Sequence, residues 1–389
     1  MTHPMRDAVM FLLGDLVGFP TVTSESNLEL IDFVAGLLEP HATDMRMTHD
    51  ATGQKANLLA TIGPNIEGGV VLSGHSDVVP AEEVDWTGAP FVAMRRDQKI
   101  FGRGTSDMKG FLACAIAMAS TYAEMPLESP IHIALTFDEE VGCRGAPLLI
   151  SNMLSEGPIP AVAIVGEPTE MRIITAHKGC YEYTTTIVGV EGHGSQPEHG
   201  VNAVQHGARY IGRLLELAAD LRSKPPANSP YDPPHTTISA GTIHGGTARN
   251  VIAGECVIEW EMRPVTGDDA SYVLREMTRF EDELAEAIGP ECTIVTEPEG
   301  EVDGLEAQDG SPALALLRDL LGVSETGVVP FGTEAGLYQK AGIPAAVCGP
   351  GSIEVAHQPD EYVSLDQLEA CLVMMEALGE RLAGTPIEG

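Results

Sequence analysis

Short apolar runs bounded by Gly and Pro alternate with helical stretches along this chain, and four of the runs lead into residues of the metal-binding kind. Gly69–Gly74 reads as a buried strand and leads to His75, within S-G-H-S-D-V-V-P (Ser73–Pro80). Ile131–Phe137 leads to Asp138, Glu139 and Glu140, within T-F-D-E-E-V-G-C-R-G (Thr136–Gly145). Ala161–Val165 leads to Glu167 in V-G-E-P-T, and Ala345–Cys348 leads through a Gly-Pro-Gly loop to His357 in A-H-Q-P-D-E-Y. A further segment, G-R-G-T-S-D-M-K-G (Gly102–Gly110), carries Asp107. Such periodicity and punctuation predict an α/β fold built on a largely parallel sheet with helices on both faces. Open sheets of that type bind ligands beyond the carboxyl ends of their strands. The four strand-linked groups all fall at such ends, so one shared crevice is expected.

The residue types point to a chemistry. Two imidazoles and four carboxylates (His75, Asp107, Glu139, Glu140, Glu167, His357) suit a hydrolytic zinc site with one base to spare. Amide hydrolysis at neutral pH needs a nucleophile stronger than water, and zinc lowers the pKa of bound water from about 15.7 to roughly 7. A nearby carboxylate can take the proton and pass it to the leaving amine. Adjacent Glu139 and Glu140 can divide these tasks if the backbone turns there, one facing metal and one facing substrate. Each residue alone has a plainer reading: His75 as a core histidine, the acidic pair as a solvated loop, Glu167 before Pro168 as turn chemistry. Their joint occurrence, in order, favours the site.

The middle of the chain reads as a separate α/β unit. Tyr181–Val190 alternates Thr and Tyr as strands do. Asn202–Arg222 carries helical apolar spacing at Val204, Ala208, Ile211, Leu214, Leu215 and Ala218. After a Pro-rich break at Ser223–Pro234 come strand-like runs Thr236–Thr242 and Cys256–Met262, a helix over Ala270–Ile288 and a short strand over Cys292–Thr296. Met1–Gly18 reads as an amphipathic helix, and Asp97–Gly104 and Pro225–Pro234 read as surface loops.

Composition bounds the partners. A chain of 389 residues supports about two domains. Its 57 acids against 22 bases give a net charge of −35, which argues against nucleic acid or an anionic membrane as partner. Seven scattered cysteines without C-x-x-C spacing fit a reducing cytoplasm. Neither a signal-like start nor a run of eighteen apolar residues occurs.

Several stretches carry a family resemblance. They are G-H-S-D-V-V-P, G-R-G-T-S-D-M-K-G, D-E-E-V-G-C-R-G-A, G-E-P-T, A-H-K-G, G-H-G-S-Q-P-E-H-G-V-N-A, G-T-I-H-G-G-T-A-R-N, F-G-T-E-A and G-P-G-S-I-E-V-A-H-Q-P-D-E-Y, spanning Gly74 to Tyr362. Together they resemble the co-catalytic metallohydrolase family that contains acetylornithine deacetylase, succinyl-diaminopimelate desuccinylase, the aminoacylases and glutamate carboxypeptidases. The A-H-K-G and G-P-G-S-I-E-V-A-H-Q-P-D-E-Y stretches resemble the acetylornithine branch in particular.

The resemblance implies two zinc ions, with cobalt or manganese as substitutes, bridged by Asp107. His75 and Glu167 would complete one metal site, and Glu140 and His357 the other. Glu139 would remain as general base, Asp77 would orient the His75 ring, and the Asp107–Met108 peptide would be cis. Residues 1–178 and 298–389 would form the catalytic domain, with 179–297 inserted as a lid or dimerisation domain. His193 would reach the active site of a neighbouring subunit in a homodimer and stabilise the oxyanion. Gly194 stands where the family pattern has Ser, which is expected to loosen that loop. Arg249, Asn250 and Arg263 are candidates for gripping a substrate carboxylate, with structural ion pairs as the alternative. Thr333 and Glu334 would line the substrate end, Glu334 as partner for a cationic side chain. The implied reaction is hydrolysis of the amide of a small-molecule N-acyl-L-amino acid. N²-acetyl-L-ornithine, giving acetate and L-ornithine in arginine biosynthesis, comes first. Another N-acyl-amino-acid deacylase or a glutamate-type carboxypeptidase is the alternative. Glu at position 167, where the family's aminopeptidases tend to carry Asp, argues against an aminopeptidase.

Overall fold

The computed structural model describes residues 3–290 and 292–384, so Met1 and Thr2 of the expected first helix lie outside the described residues. The chain divides into two compact units. The first holds residues 1–176, 305–327 and 333–389, and the second holds 177–304 and 328–332.

The first unit is built on an eight-stranded sheet. Its strand order is Asp44–His49, Ala56–Ile62, Ile131–Thr136, Val70–His75, Val162–Val165, Ala345–Val347, Ile173–His177, Thr326–Val329. The middle four strands, from Ile131–Thr136 to Ala345–Val347, run parallel. Ala56–Ile62 and Asp44–His49 continue the sheet antiparallel on one side, and Ile173–His177 does so on the other. Strands covered on both faces cannot alternate apolar with polar, which is why Val70–His75, Ile131–Thr136 and Val162–Val165 are buried at every position. One face, with Leu58, Leu72, Ile133 and Ile164, packs on helices Arg6–Val17, Leu28–Leu38, Gly110–Glu124, Pro312–Leu321 and Leu365–Gly384. Leu59, Val71, Ala163 and Val165 are buried on the other face, which helices Ala146–Glu156 and Ala335–Lys340 cover.

A small antiparallel sheet, Tyr362–Ser364 with Lys99–Phe101 with Met94–Arg96, belongs to the same unit. It corrects the sequence expectation of a loop over Asp97–Gly104. The chain there is a tight hairpin turned by Asp97, whose φ is 50°, with Ile100 buried. Three residues per strand are too few for an alternation to register in the sequence.

The second unit carries a four-stranded antiparallel sheet in the order Thr237–Gly245, Glu255–Arg263, Cys180–Val188, Thr293–Val302. Its central strands alternate: Tyr181, Tyr183, Thr185 and Ile187 are buried, as are Cys256, Ile258, Trp260 and Met262. Helices Ala203–Ser223 and Gly267–Ile288 share this core. Asn202 and Thr266 cap their first turns, each side chain accepting an N–H from three residues on. The last strand runs to Val302, well past the expected Thr296, although it contains Pro298 and Gly300. It lies at the sheet edge, where a residue without an N–H is tolerated, and the register shifts between Pro298 and Gly300 as in a bulge.

Candidate metal centre

The segments beyond the carboxyl ends of the parallel strands bring His75, Glu139, Glu140, Glu167 and His357 together with Asp107, which the Thr105–Lys109 turn carries, within the first unit. His75 ends its strand with 1% of its surface exposed. Its Nε2 lies 3.0 Å from Asp107 Oδ1 and 4.0 Å from Glu167 Oε1. The other Asp107 oxygen, Oδ2, lies 3.3 Å from His357 Nε2, which is 3.0 Å from Glu140 Oε2. Asp107 therefore stands between two half-sites, one oxygen toward each. Ligand atoms of His75, Glu139 and Glu167 lie within 4.8 Å of one another, and so do those of His75, Asp107 and Glu140. The Asp107–Met108 peptide is cis.

Local backbone shapes aim these groups. Asp138 has φ 55° and His357 has φ 60°, left-handed values uncommon outside glycine. Asp138 is held by an ion pair with Lys55, whose ammonium also donates to the Thr23 carbonyl. The family resemblance implies that Asp77 orients the His75 ring. In the structure the ring's Nδ1 donates to the Asp77 carbonyl at 2.9 Å, and the carboxylate Oδ1 is 3.7 Å away. That carboxylate instead accepts the N–H groups of Glu139 and Glu140, at 3.2 Å each, because the acidic turn presents two successive amides to it. Asp77 thus fixes the turn bearing both glutamates.

The electrostatics reveal an excess of buried negative charge. Burial, then the neighbouring carboxylates, pushes Glu139 and Glu167 well above the usual carboxylate range. Burial lifts Asp77 to about 6. Hydrogen bonds to Asp107 and Glu140 carry His357 up to about 10. Burial disfavours charge on His75, yet Asp107, Glu139 and Glu167 raise its pKa. Burial also opposes ionisation of Asp107, but the two imidazoles hold its carboxyl well below its ordinary value. A buried acidic cluster of this kind must be relieved by protonation or by compensating cations. Glu167 Oε1 is buried without a hydrogen-bond partner. The N/O donor set and this orphaned oxygen fit divalent ions.

Other expected residues take different places. Thr333 is buried, and its Oγ1 accepts the Ala335 N–H at 3.1 Å. Glu334 is also buried, with Oε2 accepting from Ser73 Oγ at 3.3 Å and Oε1 without a partner. Burial pushes its pKa to about 7. His193, Arg249, Asn250 and Arg263 belong to the second unit. There Gly192–His193 pairs antiparallel with Val251–Ile252, and exposed His193 places Nδ1 2.8 Å from Ser195 Oγ. Gly194 donates to the Asn250 carbonyl at 2.7 Å, and a Cβ there would lie 2.9 Å from that same oxygen. Glycine thus permits a close backbone approach, in place of the loosening expected from sequence. Arg263 is ion-paired with Glu261 at 2.7 Å, while Arg249 is exposed.

Sequence reasoning missed several supporting groups. Lys55, Ser73, Arg103 and Glu361 all hold site segments through contacts distant in sequence. The only signal was their position inside quoted motifs, which three of the four share. Lys178 of A-H-K-G was also missed; within the second unit it donates to the carbonyls of Pro233 at 2.8 Å and His235 at 2.9 Å. It pins the Pro-rich segment.

Residues 71–381 match the family described as Peptidase family M20/M25/M40. The chain belongs to that family. It is therefore a metallohydrolase, and its mixed sheet with flanking helices is the fold expected for one. It is 34% identical over 365 residues to the acetylornithine deacetylase of Photorhabdus laumondii, covering 91% of this chain and 92% of that one. It is 35% identical over 387 residues to the acetylornithine deacetylase of Proteus mirabilis, with 95% of each chain covered. Among solved structures, an M20 family metallo-carboxypeptidase from Sulfolobus solfataricus superposes with a TM-score of 0.74 at 17% identity, over 96% of this chain and 99% of that one. That likeness concerns the fold.

Proposed function

We propose that the chain hydrolyses the amide bond of an N-acyl-L-amino acid, with N²-acetyl-L-ornithine as substrate and acetate and L-ornithine as products. The reading rests on the Asp107 carboxylate set between the His75 and His357 half-sites. Kinship with acetylornithine deacetylases over more than nine-tenths of both chains supports it.

Two divalent ions, zinc first and cobalt or manganese as substitutes, would be held by His75, Asp107 and Glu167 on one side and by Asp107, Glu140 and His357 on the other. Bound there, they would lower the pKa of water and polarise the scissile carbonyl. Glu139, adjacent to the cluster, takes the proton from the attacking water and returns it to the leaving amine. Asp77 keeps Glu139 and Glu140 in register through their amides. His193 is assigned to the oxyanion of a neighbouring subunit's reaction in a homodimer, since it is exposed and its ring is oriented by Ser195. Exposed Arg249, with Asn250 beside it, is assigned to the substrate carboxylate. Arg263 could join them only by exchanging Glu261. Thr333 and Glu334 are assigned to the substrate end; Glu334 would meet a cationic side chain through its unpartnered Oε1. Seven scattered cysteines without C-x-x-C spacing fit a cytoplasmic setting in arginine biosynthesis.

The test is kcat/KM on metal-loaded enzyme for N²-acetylornithine, N-succinyl-diaminopimelate, N-acetylmethionine and a glutamate-terminated dipeptide. A preference of about a hundredfold for acetylornithine is expected, the scale that pocket contacts can deliver. A flat profile, or preference for another substrate, would discard the ornithine assignment.

A further inference from the structure

The A-H-Q-P-D-E-Y segment supplies His357, but its second acid, Glu361, has no part in the reaction outlined above. Glu361 is buried, with 1% of its surface exposed. Its Oε1 accepts the backbone N–H groups of Ser106 at 2.8 Å and Asp107 at 3.1 Å. Its Oε2 accepts the Gly104 N–H at 3.0 Å and the Arg103 guanidinium at 2.7 Å. Its carbonyl takes the Gly102 N–H at 3.0 Å. Amides of one short turn converging on a carboxylate form an anion-binding nest, here filled by the protein's own side chain. The turn depends on Gly104, whose φ is 81°. Arg103 extends the same tie, reaching the carbonyls of Pro80 at 3.4 Å and Gln358 at 3.5 Å. Three segments meet here: the one after His75, the one bearing Asp107 and the one bearing His357.

We propose that Glu361 is a positioning residue for the metal centre, holding the Asp107 backbone from the His357 loop so that the Asp107 carboxylate faces both half-sites. The inference rests on the two-metal reading above. Glu361 touches neither the candidate ligand side chains nor any group assigned to substrate. Its loss should therefore act on metal affinity and kcat and leave KM unchanged. Glu361→Gln turns one acceptor oxygen into an NH₂ aimed at two N–H donors. Hydrogen-bonding partners behind metal ligands typically contribute 10–100-fold in metal affinity, so a loss of about that size is expected.

The experiment titrates Co²⁺ into metal-stripped wild type, Glu361→Gln and Asp360→Asn, following the visible cobalt spectrum and calorimetric heat. Circular dichroism and Tm of the metal-free proteins are recorded beside them. Asp360 is the control: its carboxylate accepts from Thr87 N at 2.9 Å and from the Thr87 hydroxyl, in the same loop, without touching the Asp107 turn. Expected are two equivalents in wild type and Asp360→Asn. In Glu361→Gln affinity should be weaker by about 10–100-fold, with an altered cobalt spectrum and kcat reduced at constant KM. If Glu361→Gln does not fold, Glu361→Asp keeps the charge, shortens the reach and carries the same test. A variant with wild-type affinity and spectrum but lower Tm would overturn the proposal and leave Glu361 a purely structural tie. Wild type that takes up fewer than two equivalents would overturn the two-metal reading and this inference with it, a failure visible before any variant is compared.

Discussion

At the scale of single residues, identity and environment do separate work. Glu139 and Glu140 are chemically the same and adjacent, yet Glu140 lies 3.0 Å from the His357 ring while Glu139 has a Cys143 thiol at 3.6 Å from its Oε1. The turn that separates them is enforced from both sides, by Lys55 on Asp138 and by Asp77 on the two amides. If Glu139 is the base, Glu139→Gln should lower kcat by roughly 10²–10⁴-fold, the usual share of general-base catalysis. Metal content, measured by atomic absorption, should stay at the wild-type level. Loss of metal together with activity would instead make Glu139 a ligand, a role its proximity to His75 and Glu167 also permits.

At the scale of elements, close backbone approaches set where strand ends deliver their side chains. A Cβ on Gly166 would lie 2.0 Å from the ring of buried Phe111, and one on Gly349 would lie 2.0 Å from the Gly166 carbonyl oxygen. These glycines let the ends of Val162–Val165 and Ala345–Val347 run side by side. Thr169 then closes the gap, its Oγ1 accepting the Gly349 N–H at 3.1 Å. Glu167 is placed by this seam. Gly166→Ala should cost about 1–3 kcal/mol of stability, the scale of core overpacking, because a buried ring rather than a flexible chain end must move. Urea unfolding of the metal-free protein measures that cost. Metal affinity should fall as well, since Glu167 is the next residue. A variant as stable as wild type would show that the sheet and the helix Gly110–Glu124 separate freely at this point.

At the scale of the whole molecule, charge is the dominant property. A net charge of −35 on 389 residues makes the compact state repel itself. The few bases are used locally: Arg103 on Glu361, Lys55 on Asp138, Arg213 on Glu276. Salt should therefore stabilise the fold. Raising KCl from about 0.05 M to about 1 M shortens the screening length to roughly 3 Å, so calorimetric Tm should rise steadily. A falling Tm would mean that attractive ion pairs outweigh the global repulsion. No described helix is long and apolar enough to cross a membrane.

The amino-acid sequence by itself determined the longer strands and helices around the site and which residue types stand at the strand ends, but not the three-residue strands near Asp97 or the end of Thr293–Val302. Both are local properties: apolar period, glycine and proline punctuation, and the next few side chains. It was enough for the α/β class, the parallel centre of the sheet, the alternation in the second unit and the candidate ligands from His75 to His357. Tertiary structure alone decided how those groups are held. Glu361 meets Asp107 across 254 residues and Glu334 meets Ser73 across 261. No periodicity carries information over such separations. It also decided that the Asp77 carboxylate serves two amides, and that Pro298 can sit in a strand because that strand is at an edge. A buried polar group must find a partner wherever the fold brings one within about 3 Å. Which partner that is depends on the packing of the whole chain, and the segment that carries the group does not encode it.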